Sequence, residues 1–121
     1  MSKCILIVED QEDNRRILRD LLTAKGYETV EATTGLEGVE MAGEYSPDLI
    51  LMDIQLPELD GYEATRRIRE VPDLQGIPII AVTSYALSGD EIKAMEAGCD
   101  GYVTKPFSPR ALLEIIQQKL S

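Results

Sequence analysis

The sequence predicts an α/β domain built on a doubly wound, five-stranded parallel sheet of the (βα)5 kind. Three observations carry that prediction. Short apolar runs rich in β-branched residues alternate five times with segments of helical periodicity. The run Leu49-Ile50-Leu51-Met52 is apolar at four successive positions, as expected of a strand buried on both faces in a parallel sheet. Acidic, hydroxyl and lysine residues stand at the ends of the runs, on the rim where open α/β sheets place their ligands. At 121 residues the chain is long enough for one domain with a core and too short for two. It shows no repeat, linker or low-complexity segment, so residues 1–121 are read as one unit.

Taken in order, Cys4-Ile5-Leu6-Ile7-Val8 is the first strand. The acidic stretch from Glu9 to Asp13 follows where a helix should begin, and suits the positive end of its dipole. Ile17, Leu18, Leu21 and Leu22 recur at helical spacing, Glu12 and Arg16 stand at i, i+4, and Gly26 stops the helix. Glu28 to Ala32 alternates weakly and reads as a more exposed strand at a sheet edge. Leu36, Val39 and Ala42 mark a second helix ending before Pro47. The third strand runs up to Asp53, and the turn residues from Leu56 to Gly61 lead into a helix directing Ala64, Ile68 and Val71 inward. Its cluster Arg66, Arg67 and Arg69 reads as a solvated face, with Glu63 and Arg67 at the favourable i, i+4 spacing. Ile77 to Val82 is the fourth strand, with Pro78 tolerable near its start. Ser88 to Ala97 reads as a helix with a thin apolar stripe of Ile92, Met95 and alanines. Gly101 to Thr104 is a brief fifth strand, and Leu112, Leu113, Ile116 and Leu120 mark a closing helix.

Composition removes several function classes. The 22 acids against 12 bases give a formal charge of −10, and no basic stripe is concentrated anywhere, which argues against nucleic-acid binding. The apolar runs are too short to cross a bilayer and the N-terminus lacks a signal-peptide core, so the reading is cytoplasmic, with no membrane partner. In that compartment Cys4 and Cys99 are read as reduced, buried thiols. They lack metal-ligand spacing and the chain contains no histidine, which disfavours zinc sites and histidine-based catalysis.

The chemistry follows from the strand ends. Strand one delivers Glu9 and Asp10, strand three Asp53, strand four Thr83 and strand five Lys105. Taken singly, each has an ordinary explanation: helix-start acids, a turn aspartate, a strand-end threonine, a solvated lysine. Together they place three carboxylates on one rim, where mutual repulsion raises at least one pKa unless a cation joins them. Magnesium suits such a site, because it accepts a few carboxylates and keeps several waters. With the metal and Lys105 neutralising phosphoryl oxygens and Thr83 donating a hydrogen bond, Asp53 is placed as a nucleophile that forms an aspartyl phosphate.

These residues resemble the CheY-like receiver domains of two-component response regulators. The resemblance runs from Lys3 to Leu120 and rests on Ile7-Val8-Glu9-Asp10, Asp48 to Ile54, Leu56-Pro57 with Asp60-Gly61, Ala81-Val82-Thr83, and Tyr102 three residues before Lys105-Pro106. It implies a flavodoxin-like fold with strand order 2-1-3-4-5, and phosphorylation of Asp53 by a phosphohistidine on a sensor histidine kinase or a histidine phosphotransfer protein. It further implies magnesium bound by Asp10, Asp53 and the backbone carbonyl of Gln55, with Glu9 acting mainly through water. Thr83 and Tyr102 become the switch, and helix four, strand five and helix five the face for a downstream partner. The Lys105-Pro106 bond is implied to be cis, whereas sequence alone equally allows Pro106 as the first residue of a helix. Gln55 and Tyr85 flank the site two residues after Asp53 and Thr83, placed to steer or block the hydrolytic water, and small Ser84 leaves room for the phosphoryl group. Gly26-Tyr27-Glu28-Thr29, Met52 to Glu58 and Gly89-Asp90-Glu91 are most similar to DivK-type single-domain regulators. The chain ends about where a receiver does, which is read as a stand-alone receiver; one excised from a hybrid kinase has the same appearance.

Three other readings compete. A haloacid-dehalogenase-type phosphohydrolase needs a second Asp two residues after the nucleophile, and Gln55 stands there. A degenerate receiver serving as a phosphorylation-independent interaction module typically lacks the acid pair, the acceptor or the lysine, and all are present. A nucleotide-binding flavodoxin-like protein needs a glycine-rich phosphate loop after strand one, where this chain has acids.

Overall fold

A computed structural model describes residues 2–84 and 90–121. Five parallel strands, β1 (Cys4–Val8), β2 (Glu28–Ala32), β3 (Leu49–Asp53), β4 (Ile79–Thr83) and β5 (Gly101–Thr104), lie in the order β2-β1-β3-β4-β5. The helices are α1 (Glu12–Ala24), α2 (Gly35–Tyr45), α3 (Gly61–Arg69), α4 (Asp90–Ala97) and α5 (Pro109–Leu120), with a short 3-10 turn over Pro72–Leu74. This is the doubly wound CheY-like arrangement. Strand order reverses at β1, which pairs with β2 on one side and β3 on the other, so a crevice opens at the C-terminal ends of β1 and β3.

Period-two alternation along the strands divides the core into two layers. Leu6, Val8, Ile50, Met52, Ile79 and Ala81 face Ala42 of α2, Ala64 and Ile68 of α3 and Ala94 of α4. Ile5, Ile7, Leu49, Leu51, Ile80 and Val82 face Leu18 and Leu22 of α1 and Leu112, Leu113 and Ile116 of α5. β3 and β4 are buried at every position, as the unbroken apolar runs require. β2 at the sheet edge is half-exposed along most of its length. The Glu63–Arg67 ion pair forms as its spacing suggests, at 3.4 Å.

Several sequence expectations are corrected at the level of single side chains. Ile17, Leu36, Val71, Ile92 and Met95 are exposed rather than turned inward. Small residues make the closest approach instead: α2 buries Gly38 against Val8 together with Ala42, and α4 buries Ala94 and Ala97, which leaves Leu36, Ile92 and Met95 outward while Val39 and Met41 stay partly packed on the core. Arg16 pairs with Asp13 at 3.4 Å and not with Glu12. β4 begins at Ile79 and not Ile77: the Pro78 carbonyl still accepts from the Ile50 amide, but Pro78 has no N–H to give to the ladder. Both cysteines are free, but only Cys99 is buried; Cys4 starts β1 and is half-exposed. Ser88 and Gly89, assigned to the fourth helix from sequence, lie outside the described residues, as does Tyr85.

Candidate functional site

Parallel registration brings Glu9, Asp10, Asp53, Thr83 and Lys105 to one rim, while Tyr102 stands two positions further down β5. Val8 pairs with Met52, Asp53 with Val82 and Thr83 with Thr104. Glu9 and Asp10, which follow β1, therefore meet Asp53 at the end of β3, with Lys105 leaving β5 beside them. Glu9 is 1% exposed, Asp53 5% and Thr83 2%. One carboxylate oxygen from each of Glu9, Asp10 and Asp53 lies within 4.8 Å of the others. Lys105 Nζ donates to Glu9 Oε1 at 2.5 Å and lies 3.7 Å from Asp53 Oδ2. The second oxygen of Glu9 accepts from the Gln11 amide at 3.2 Å, and Asp53 Oδ1 accepts from the Gln55 amide at 3.1 Å. A cleft of about 530 Å³ opens over Asp10, Asp53, Gln55, Ser84 and Lys105.

Local sequence fixes this geometry. α3 starts at Gly61, whose amide donates to the Ile54 carbonyl at 3.0 Å. A Cβ at Gly61 would run into the Asp53 carbonyl oxygen, so the helix approaches β3 this closely only with glycine. Asp60 caps α3 by accepting from the Glu63 amide at 2.9 Å. On the β4 side, Lys105 N donates to the Thr83 carbonyl at 2.6 Å, and Ser84 N donates to Gln55 Oε1 at 3.2 Å. The Lys105–Pro106 bond is cis. Pro106 is not a helix N1 residue, since α5 begins at Pro109 under a Ser108 cap.

The acids are electrostatically crowded. Burial pushes Asp53 up to about 7, helped by its hydrogen bond to Glu9 and by the charge of Glu9, against the pull of Lys105. Burial and then Glu9 raise Asp10 as well. Burial alone would raise Glu9, but hydrogen bonds from the Asp53 carboxyl and from Lys105 hold it below its ordinary value. Without a cation Asp53 therefore holds its proton to a higher pH than an ordinary carboxyl, and Glu9 gives its own up more readily. Three hard oxygen donors around one lysine suit a divalent ion of the magnesium kind.

Tyr102 pairs in register with Ala81 and is half-buried against the core layer under α3 and α4. Burial and then the charges of Asp90 and Glu91 raise its phenol. Sequence reasoning missed Arg15. Its Nη1 donates to the carbonyls of Glu9 at 2.9 Å and Asp10 at 3.1 Å, directly behind the acid pair. Only the i, i+4 placement of Arg15 and Arg19 on one face of α1 hinted at a shared partner.

Residues 5–117 match the family pattern of the response regulator receiver domain. The chain is 47% identical over 120 residues to the polar-differentiation response regulator DivK of Brucella ovis, covering 99% of this chain and 98% of that protein. The receiver domain of a sensor histidine kinase from Pseudomonas aeruginosa PAO1, with a magnesium ion coordinated in its active-site cleft, superposes with TM-score 0.92 at 38% identity, covering 99% and 98% of the two chains. A CheY-like receiver domain protein of Methanospirillum hungatei JF-1 superposes with TM-score 0.92 at 35% identity, covering 99% and 94%.

Proposed function

The chain belongs to the response regulator receiver family of two-component signalling, and we propose that Asp53 is its phosphoacceptor. The observation that carries this is the placement of Asp53: 5% exposed, at a strand end, grouped with two other carboxylates and 3.7 Å from Lys105. In transfer from a histidine kinase or phosphotransfer protein, an Asp53 carboxylate oxygen attacks phosphorus while the P–N bond to the donor imidazole breaks. Asp53 must first lose its proton, which the ammonium of Lys105 favours. Lys105 then balances charge on the phosphoryl oxygens and the Thr83 hydroxyl donates to one of them. Asp10, Asp53 and the Gln55 carbonyl would hold magnesium, and Glu9, already engaged by Lys105 and the Gln11 amide, would reach it through water. When bound, the ion supplies neutralising charge to the transferring oxygens.

The phosphorylated state shifts Thr83 and Tyr102 together and biases the α4-β5-α5 face toward a downstream protein. Ile92 and Met95 are exposed apolar residues of α4, one of the three elements of that face. Gln55, tied to the Ser84 amide, is placed to govern access of the hydrolytic water. We assign residues 1–121 to this one receiver unit and place it in the cytoplasm. No helix among the described residues is long and apolar enough to cross a membrane, and the −10 charge opposes nucleic acid. Self-phosphorylation from small donors and autodephosphorylation are the chemistry expected of it.

Intact mass after incubation with magnesium and acetyl phosphate tests the reading. The wild type is expected to gain one phosphoryl group, and Asp53→Asn or a chelated sample none. No gain, or a gain that survives in Asp53→Asn, contradicts it.

A further inference from the structure

We infer that Arg15 is a positioning residue through which the edge strand β2 sets the magnesium affinity of the rim. This rests on the proposed metal site. Three residues, Glu9 to Gln11, join β1 to α1, and their backbone directions decide where the Glu9 and Asp10 carboxylates point. β2 holds this linker at both of its polar ends. The Glu9 amide donates to the Ala32 carbonyl at 3.0 Å. Arg15 Nη1 bridges the Glu9 and Asp10 carbonyls at 2.9 and 3.1 Å. The same guanidinium turns Nε toward Glu31 Oε1 at 3.4 Å, with only 16% of its side chain exposed. Glu31 is fixed in turn by Arg19 Nη1, which donates to both carboxylate oxygens at 2.8 and 3.1 Å. The last two residues of β2 thus supply both anchors of the acid-bearing linker.

The arrangement needs arginine. One planar group serves two peptide carbonyls on one edge and a carboxylate on another, whereas an ammonium on a flexible stem cannot span all three in a fixed geometry. The guanidinium grips the carbonyl oxygens of Glu9 and Asp10 and not their carboxylates, so Glu9 can meet Lys105 and Asp10 can line the cleft. Groups that orient metal ligands from behind change affinity by about 10- to 100-fold when removed. A mere helix-to-loop brace would change stability alone.

The test separates these. Magnesium affinity is measured by calorimetry for wild type, Arg15→Gln, Arg15→Lys and Glu31→Gln, beside urea unfolding and the phosphorylation rate from acetyl phosphate. Arg15→Gln is expected to weaken magnesium about 10-fold or more. Its rate should fall at subsaturating magnesium and return to within about twofold of wild type at saturation. Arg15→Lys should fall between the two, and Glu31→Gln should show a smaller loss in the same direction. Unchanged affinity in a folded but less stable Arg15→Gln overturns the inference, as does a rate that stays low at saturation. Should Arg15→Gln not fold, Glu31→Gln carries the test, and wild-type affinity there overturns it. A wild type that binds no magnesium overturns the metal site itself, a different failure.

Discussion

The two ends of the sheet carry acids in opposite circumstances. At the N-terminal rim, Asp48 accepts from the Cys4 amide at 2.7 Å, while Asp100 accepts from the Ile79 amide at 2.9 Å and from Arg69 Nη2 at 2.8 Å. Arg69 also donates to the carbonyls of Gly98, Leu74 and Gln75, so this rim is a closed network of donors and acceptors. At the C-terminal rim, Glu9, Asp10 and Asp53 face one another with Lys105 between them, and Asp53 rises to about 7. The same residue type thus tightens the fold at one end and strains it at the other. Acids met by amides and an arginine brace the fold; acids that also crowd one another make a cluster suited to a cation.

The largest effect that would break this contrast concerns the chemistry. Lys105→Met should cut the phosphorylation rate by about 100-fold, since it removes the cation nearest the transferring oxygens. A rate within a few-fold of wild type, measured by mass against time, would move that role elsewhere. Next come two stability changes of opposite sign. Asp100→Ala should cost about 2 kcal/mol in urea unfolding, because the Ile79 amide and Arg69 lose a charged acceptor. Asp53→Asn, without magnesium at about pH 8, should gain stability on the order of 1 kcal/mol, because a neutral amide is less costly in that place. Equal signs would erase the distinction between the rims. Smallest, Glu63→Ala should change stability by less than about 0.5 kcal/mol, since its bonds to Arg66 and Arg67 are exposed.

The pH dependence sharpens the same point. A carboxyl raised in the folded state binds more protons there than in the unfolded chain. Asp53 should therefore make the metal-free protein lose stability as pH rises from about 4 to about 7. Asp10 acts in the same direction. Glu9, lowered, contributes the opposite slope below its ordinary range, with stability lost as acid protonates it. Urea unfolding across this range, with and without magnesium, should show the neutral-pH loss only in the metal-free series.

Much of the site was legible because strand ends are legible. Apolar runs located β1, β3, β4 and β5, and parallel pairing then forces Glu9, Asp10, Asp53, Thr83 and Lys105 onto one rim. What the sequence left hidden depends on helix rotation and on contacts distant along the chain. Ile92 and Met95 look like an inward stripe until Ala94 and Ala97 are seen to take the sheet. Arg15 looks like one charge among many on α1, because its partners Glu9, Asp10 and Glu31 come together only in three dimensions. Asp100, in a turn before β5, carries no mark separating it from a solvated acid until the Ile79 amide meets it.

The most direct measurement is a calorimetric titration of the wild type with magnesium, in buffers of differing ionisation enthalpy, at about pH 6 and about pH 8. Saturable binding at one site, releasing close to one proton at about pH 6 and few at about pH 8, is the expected result, since Asp53, raised to about 7, must lose its proton as the ion enters. Absence of saturable binding, or binding with no proton release at either pH, would contradict the account of this rim.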